Sequence, residues 1–355
     1  MPADSPNFDR VLTALHCQEP DRVPPAEIWV DQEVRDAYMG FPVQNLRDEV
    51  SFWHTAGFDF VALDNDLWSM PQIQGNITSP IHDTAHIYSG GRDDRGWVDE
   101  QAGVVKTWED VERFPWPKAA DLDYSNLAKI GELLSPGMKV ICTFGHIFTA
   151  AWQLMGFENF CVALHDDYAL VKDIIQRIGE ECIQQAETIL TFDCVGAICF
   201  QDDIAYSSGP IISLKMLREF FFPWLVDLAS LSHAHGRPLI YHTDGDATLL
   251  LPDMVASGID CFQAVEPKCM DIVAVKQAYG GRLALMGNLD LGYTLTRGTP
   301  QEVEENVKFL IKHVAPGGGL LLGSCNSITN YVPMENFKTM MRAVLEYGRY
   351  PIDIN

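Results

Sequence analysis

Pro238-Leu239-Ile240-Tyr241-His242-Thr243-Asp244 is a short apolar, β-prone run that stops on an imidazole and a carboxylate. Other runs along the chain share that shape. Residues 25–30 end at Asp31, residues 58–63 at Asp64 with Asp66 beyond, and residues 139–144 just before His146. Residues 195–200 run into Asp202 and Asp203, and residues 259–265 into Glu266. Residues 283–286 lead to Asn288 and Asp290, and residues 319–323 to Cys325. Helical patterns fill most of the gaps. Strand, polar end and helix, repeated about eight times, predict an α/β fold of the (β/α)8 TIM-barrel type. In that fold the C-terminal strand ends converge, so residues far apart in the chain share one pocket.

The flanking segments fit this frame. Residues 6–20 predict a leading amphipathic helix with Phe8, Val11, Leu12 and Leu15 on one stripe, stopped by Pro20. A second helix is expected over 45–56. Residues 67–135 break the rhythm with turn-rich sequence and short β-like pieces around 73–78, 86–89 and 104–108. They read as an insertion capping the mouth of a single barrel domain spanning 1–355. The rhythm resumes with one or two helices over 148–190. Ser213 is placed to cap a long helix reaching about His235, with Gly236 just past its end. Shorter helices are expected near 247–257, 271–279, 300–314 and 333–347.

Composition narrows the function classes. The chain has 355 residues, is 47% hydrophobic, and carries a net charge of −24, which disfavours wrapping nucleic acid or an anionic membrane. No apolar run reaches the roughly 18 residues a membrane span needs. The first ten residues lack the pattern of a secretory signal, so a soluble cytoplasmic protein is expected. Of nine cysteines without CxxC spacing, eight read as buried free thiols of a reducing compartment, and Cys325 stands apart at a strand end.

His242, Glu266 and Cys325, with Asp244 as a fourth, offer imidazole, carboxylate and thiolate at three strand ends, a donor set suited to Zn2+. The plain alternative is a core histidine and a buried thiol. His146, Asp202 and Asp31 are candidate proton donors or acceptors. Of Asp202 and Asp203 at most one faces the lumen, because successive strand residues alternate faces. Asp64 and Asp66 extend a carboxylate group whose members raise one another's pKa, although Asp also favours turns for its own capping ability. Trp29, Asp64, Tyr206, Tyr331 and Asn288 are candidate substrate contacts.

Several motifs resemble the uroporphyrinogen decarboxylase superfamily. They are Arg10-Val11-Leu12 with Pro20-Asp21-Arg22-Val23-Pro24, Met155-Gly156-Phe157-Glu158-Asn159-Phe160, the segment from Ser213 to Pro223, Ala234-His235-Gly236, and Gly287-Asn288-Leu289-Asp290. The resemblance implies a (β/α)8 barrel and two branches of activity. One branch decarboxylates uroporphyrinogen. The other holds zinc-dependent methyltransferases that exchange methyl groups with a corrinoid on a partner protein. The decarboxylases grip substrate carboxylates with an Arg-Gln-Ala-Gly-Arg segment after the first strand; here residues 26–32 hold no arginine. Where the decarboxylases have Gly-His-Gly, this chain has Gly323-Ser324-Cys325, and the methyltransferases place a zinc-ligating cysteine there. Their His-x-Cys appears here as His242-Thr243-Asp244, with aspartate in place of cysteine, and Glu266 matches an acidic position near the zinc.

The combined expectation is a zinc-dependent methyltransferase moving a methyl group between a small O- or N-methyl substrate and a partner's corrinoid, in the demethylating direction. The alternatives are a decarboxylase of a small acid and a non-catalytic binding barrel. The chain has no Asp-x-His-x-x-Gly stretch to ligate cobalt, so the corrinoid is expected on another protein. That partner is expected to dock on the 67–135 insertion and the loop from Asn326 to Tyr331.

Overall fold

The computed structural model describes residues 5–67, 77–80, 96–98 and 103–354. Its strands are β1 (Phe60–Asp64), β2 (Ile77–Pro80), β3 (Gly96–Val98), β4 (Lys139–Gly145), β5 (Val195–Gln201), β6 (Ala205–Tyr206), β7 (Gly209–Pro210), β8 (Leu239–His242), β9 (Cys261–Gln263), β10 (Ala284–Leu289) and β11 (Leu320–Ser324). A curved parallel sheet runs β1-β4-β5-β8-β9-β10-β11, with helices between successive strands. Its strands are buried almost throughout, as a sheet covered on both faces requires. Seven of the expected runs thus become strands of the one sheet.

The run at 25–30 differs. Two bridges, Pro25 to Leu322 and Val30 to Ile328, hold it parallel to β11, but no continuous ladder forms. The pattern is regular around Pro25, with Leu322 N–H donating to Pro24 O at 3.0 Å, and stops at Ser324, whose N–H turns to a side chain. Backbone bonds secure only the ends: Ala26 N–H to Leu322 O at 3.0 Å, and Asp31 N–H to Ile328 O at 2.8 Å. In the middle a side chain takes over. Ser324 donates its N–H to Glu27 Oε1 at 2.6 Å, and its hydroxyl bonds Oε2 at 2.7 Å.

Glu27 is 1% exposed, and burial pushes its pKa from 4.5 up to about 8 against the two Ser324 bonds. The folded protein therefore holds this proton more tightly than the unfolded chain does. Stability from this source is fully present below the unfolded value of 4.5 and is lost as pH rises to about 8. Glu27→Gln is expected to flatten the fall in melting temperature across that window by an amount worth several kcal/mol. Parallel thermal melts of both proteins check this, and identical slopes would exclude Glu27 as the source.

Helix boundaries follow local signals. Asn7 and Asn45 cap Phe8–Leu15 and Leu46–Ala56, and a Thr299–Glu302 capping box opens Pro300–Val314. The 148–190 region is three helices, Phe148–Met155, Phe157–Asp166 and Tyr168–Leu190, because Gly156 sits at φ +75° and Asp167 starts a new cap. The helix expected from Ser213 divides into Leu214–Phe220 and Phe222–Ala234 at Pro223, which cannot donate within a helix. An additional helix, Gln32–Met39, follows Asp31; Val34 is its one buried residue, too weak a stripe to be read from sequence. Within 67–135, β2 and β3 pair antiparallel. The pieces at 86–89 and most of 73–78 lie outside the described residues. The β-like piece at 104–108 is not a strand: Val104 and Val105 donate to Leu154 O, and Trp108 starts a helix capped by Thr107.

The two halves of the opening motif meet at the base of the barrel. Arg10 bonds Asp59 at 2.5 Å and both oxygens of Asp21, while Arg22 reaches Asp59 at 3.3 Å. Asp59 directly precedes β1 and is fully buried. All nine cysteines are free thiols. Among the described residues no helix is long and apolar enough to cross a membrane.

Candidate metal centre

Sheet register sets the site. Gln201, His242 and Gln263 occupy one level across β5, β8 and β9. Level neighbours in parallel strands lie side by side, and here His242 Nδ1 hydrogen-bonds Gln263 Oε1. Gln263 in turn donates Nε2–H to Asn326 O at 3.3 Å, which fixes which end of the amide is oxygen. An oxygen there only accepts, so Nδ1 carries a proton and Nε2 is the nitrogen left to face the pocket, with a lone pair in the neutral ring.

That lone pair faces two carboxylates. His242 Nε2 stands 3.7 Å from Asp244 Oδ1 and 4.0 Å from Asp203 Oδ1, too far for hydrogen bonds. One ligand atom from each of the three lies within 4.8 Å of the others. A cation held at about 2 Å from each needs its donors within about 4 Å of one another, and a small inward movement of these three side chains brings them to that spacing. Supporting bonds orient them. Asn326 Nδ2–H donates to Asp244 at 2.8 and 3.0 Å, and Asp244 N–H donates to Asp203 Oδ1 at 2.9 Å. Asp244 keeps 39% of its side chain open to the mouth. Enclosure by protein nonetheless pushes its pKa up to about 6, with His242 pulling it down and Asp203 pushing it up.

The other expected ligands lie beside this group. Glu266 Oε2 accepts the Gly245 N–H at 3.2 Å and so braces the loop after Asp244. Gly245 has φ +84°, and a Cβ there would stand 2.6 Å from Tyr206 O, so only glycine fits. Cys325 is buried, and that burial, with Asp244, Asp290 and Glu266 nearby, pushes its thiol up to about 12. Both Glu266 and Cys325 fall outside the group of three among the described residues.

A second cluster centres on His146. Its Nδ1 pairs with Asp66 at 3.2 Å. Burial lowers its pKa, but the Asp66 charge and hydrogen bond, with Asp202 and Asp203, raise it to about 9, making it an imidazolium at neutral pH. His146 adopts φ +67°, a strained position for a residue with a Cβ. Asp202 supports that turn: its oxygens accept the N–H groups of Ile147, Phe148 and Thr149 at 2.7–2.8 Å, capping Phe148–Met155. Asp64 accepts from Thr143 Oγ1 at 3.0 Å, and its pKa is pushed up to about 7 by burial and by Asp66.

The remaining expected residues scatter. Asp31 accepts from Trp29 Nε1 and from Asn330 N–H, tying the 25–30 segment to the loop after β11. Half-buried Tyr331 follows directly on that loop. Tyr206 is 45% exposed on the β6–β7 hairpin, which leans on the Asp244 loop through Asp246 N–H to Tyr206 O. Asn288 holds Val265 O at 2.8 Å and lines a separate groove of about 440 Å³ with Lys268 and Phe309. Sequence reading missed Gln263 and Asn326 and left Asp203 undecided. The level register of Gln263 with His242 was the available signal.

The family model described as Uroporphyrinogen decarboxylase (URO-D) matches residues 101–347, more than half of the chain. The chain belongs to the uroporphyrinogen decarboxylase family. A methylated-thiol–coenzyme M methyltransferase of Methanosarcina mazei (strain ATCC BAA-159 / DSM 3647 / Goe1 / Go1 / JCM 11833 / OCM 88) is 31% identical over 210 residues, 56% of this chain and 51% of that protein. The chain thus spans about half the length of that curated relative. A solved methyltransferase from Methanosarcina mazei covers 97% of this chain and 99% of its own with a TM-score of 0.69 at 19% identity, so the two share a fold. This URO-D family member departs from the decarboxylase pattern at the first strand end. Its nearest arginine there, Arg35, is engaged by Glu49 and by Gln32 at 2.9 Å, and does not face a substrate as a free clamp.

Proposed function

We propose that this URO-D family member is a zinc-dependent methyltransferase that moves a methyl group from a small O- or N-methyl compound to the corrinoid of a partner protein. One observation carries the reading: His242 Nε2 is aimed between the carboxylates of Asp203 and Asp244, with its other nitrogen fixed by Gln263. Such a histidine with a braced second nitrogen is the usual arrangement of a metal ligand. His242 and Asp244 were expected ligands; Asp203 joins them as the third, with Cys325 and Glu266 flanking. Two carboxylates and one imidazole make a harder donor set than a two-thiolate one. Bound there, zinc supplies Lewis acidity toward the heteroatom that loses the methyl group.

The chain's own residues would do the rest. His146 carries a proton at neutral pH and can deliver it to the departing heteroatom. Asp66 holds the imidazolium, and Asp202 fixes the strained turn that aims it. Asp64 stands beside the Asp66–His146 pair, whereas Asp31 lies apart with Trp29 and Asn330. The methyltransferase relatives support this branch. A decarboxylase of small acids would need a cation to grip a carboxylate, and Arg35 already neutralises Glu49. The cytoplasm as location and the 67–135 insertion as docking rim belong to the same proposal.

Zinc-loaded protein mixed with substrate and a reduced corrinoid protein is expected to convert Co(I) to methyl-Co(III), followed by absorbance. Demethylation at full rate without any corrinoid would overturn the partner's role.

A further inference from the structure

We infer that the cleft between residues 28–30 and the end of β1 is a binding site for a small organic ammonium compound, its cationic head held between the Trp29 indole and the Asp64 carboxylate. The cleft holds about 380 Å³ and is walled by Trp29, Asp64, Glu49, Gln44 and Asn126, among others. It exists because the 25–30 segment joins β11 rather than laddering with β1, which leaves a seam at the strand ends.

Each wall is preformed. Trp29 is 47% exposed, large for an indole, yet its ring is fixed by Nε1–H to Asp31 Oδ1 at 3.0 Å. Asp64 is fixed by Thr143 and exposed on the cleft side. Glu49 and Arg35 neutralise each other, so above about pH 7, where Asp64 gives up its proton, it and Asp31 behind the indole leave the cleft net negative. An aromatic face beside a carboxylate selects a weakly hydrated cation, because the ring quadrupole and the charge act on the same group. A metal ion, held by its water, gains little from an indole. A neutral flat ligand would leave the carboxylate unpaired. Gln44 and Asn126 place exposed amides at the edge, suited to a polar tail on the same molecule.

This inference stands apart from the metal centre and from methyl transfer. Calorimetric titration of the full chain with tetramethylammonium and with choline tests it, using 3,3-dimethylbutan-1-ol as the neutral isostere of choline. Binding of both cations is expected, with choline at least tenfold tighter than the alcohol. Trp29→Ala and Asp64→Asn are each expected to weaken it at least tenfold while keeping the melting temperature of the parent. Chelator-treated protein is expected to bind equally well. Equal affinity for the alcohol, unchanged affinity in both variants, dependence on the metal, or no heat up to millimolar cation would each overturn the assignment. Failure of methyl transfer would leave these outcomes untouched.

Discussion

His242→Ala is expected to take zinc from near one per chain to background and to lower methyl transfer by at least about 100-fold. The imidazole is the proposed ligand whose Nε2 lies between two carboxylates, and loss of a metal there would remove several kcal/mol of charge stabilisation at the reacting heteroatom. Removing it also leaves Asp203 and Asp244 facing each other with no cation between. Elemental analysis of protein purified without chelator gives the first number, and the corrinoid assay gives the second. Two companions sharpen the test. Gln263→Leu keeps all three ligands but frees the ring, and such changes cost about 10–100-fold in metal affinity. Cys325→Ala should keep its zinc, whereas Asp203→Asn should lose it. The opposite pattern would move the third ligand back to the thiolate. Stoichiometric zinc in His242→Ala with an unchanged fold would end the case for this centre.

Asp59→Ala is expected to destabilise the barrel by about 3–5 kcal/mol, the usual consequence of breaking a buried ion pair from one side. Asp59 is fully buried between Arg10 and Arg22, and burial raises its pKa even with two guanidiniums beside it. Deleting the carboxylate takes a buried counter-charge from both guanidiniums, although Arg10 keeps its bonds to Asp21. Denaturant melts should show the loss, while a surface control such as Glu305→Ala should show none. Replacing Arg10, Arg22 and Asp59 together by apolar residues should recover much of the deficit, because the penalty comes from the unpaired charge rather than from the absent pair. A single-variant loss under about 1 kcal/mol would show that the network is peripheral to stability.

The sequence was most legible where period and burial coincide. The runs that became β4, β5, β8, β10 and β11 are apolar on both faces, and nothing in their composition competes with an extended backbone. The 25–30 run looked the same, but its ladder stops where the Ser324 N–H turns from backbone to the Glu27 side chain, a difference of partners rather than of hydropathy. At the strand ends legibility fell. Alternation of faces governs residues inside a ladder and lapses one residue beyond it. His146 and Val265 turn to positive φ there, re-aiming His146 and Glu266 in ways no periodicity encodes. His242 and Asp244 were found because histidine and aspartate at a strand end carry chemistry in their own identity. Gln263 was passed over because an amide rarely announces a role, and its contribution comes only from standing level with His242. Asp202 and Asp203 could not be told apart without knowing that three amides at the start of the helix after β4 turn toward the first of them.

The stave formed by residues 25–30 has a dynamic consequence. A strand with ladders on both sides exchanges its amide hydrogens only through cooperative opening, whereas this one is tied at its two ends and, at Glu27, by a side chain. Its middle is therefore held to β11 by the Glu27 carboxyl rather than by a ladder, so its opening depends on that one side chain. The barrel wall is thus closed at this one stave by a single buried carboxyl, across from the laddered β5–β8–β9 wall that carries His242.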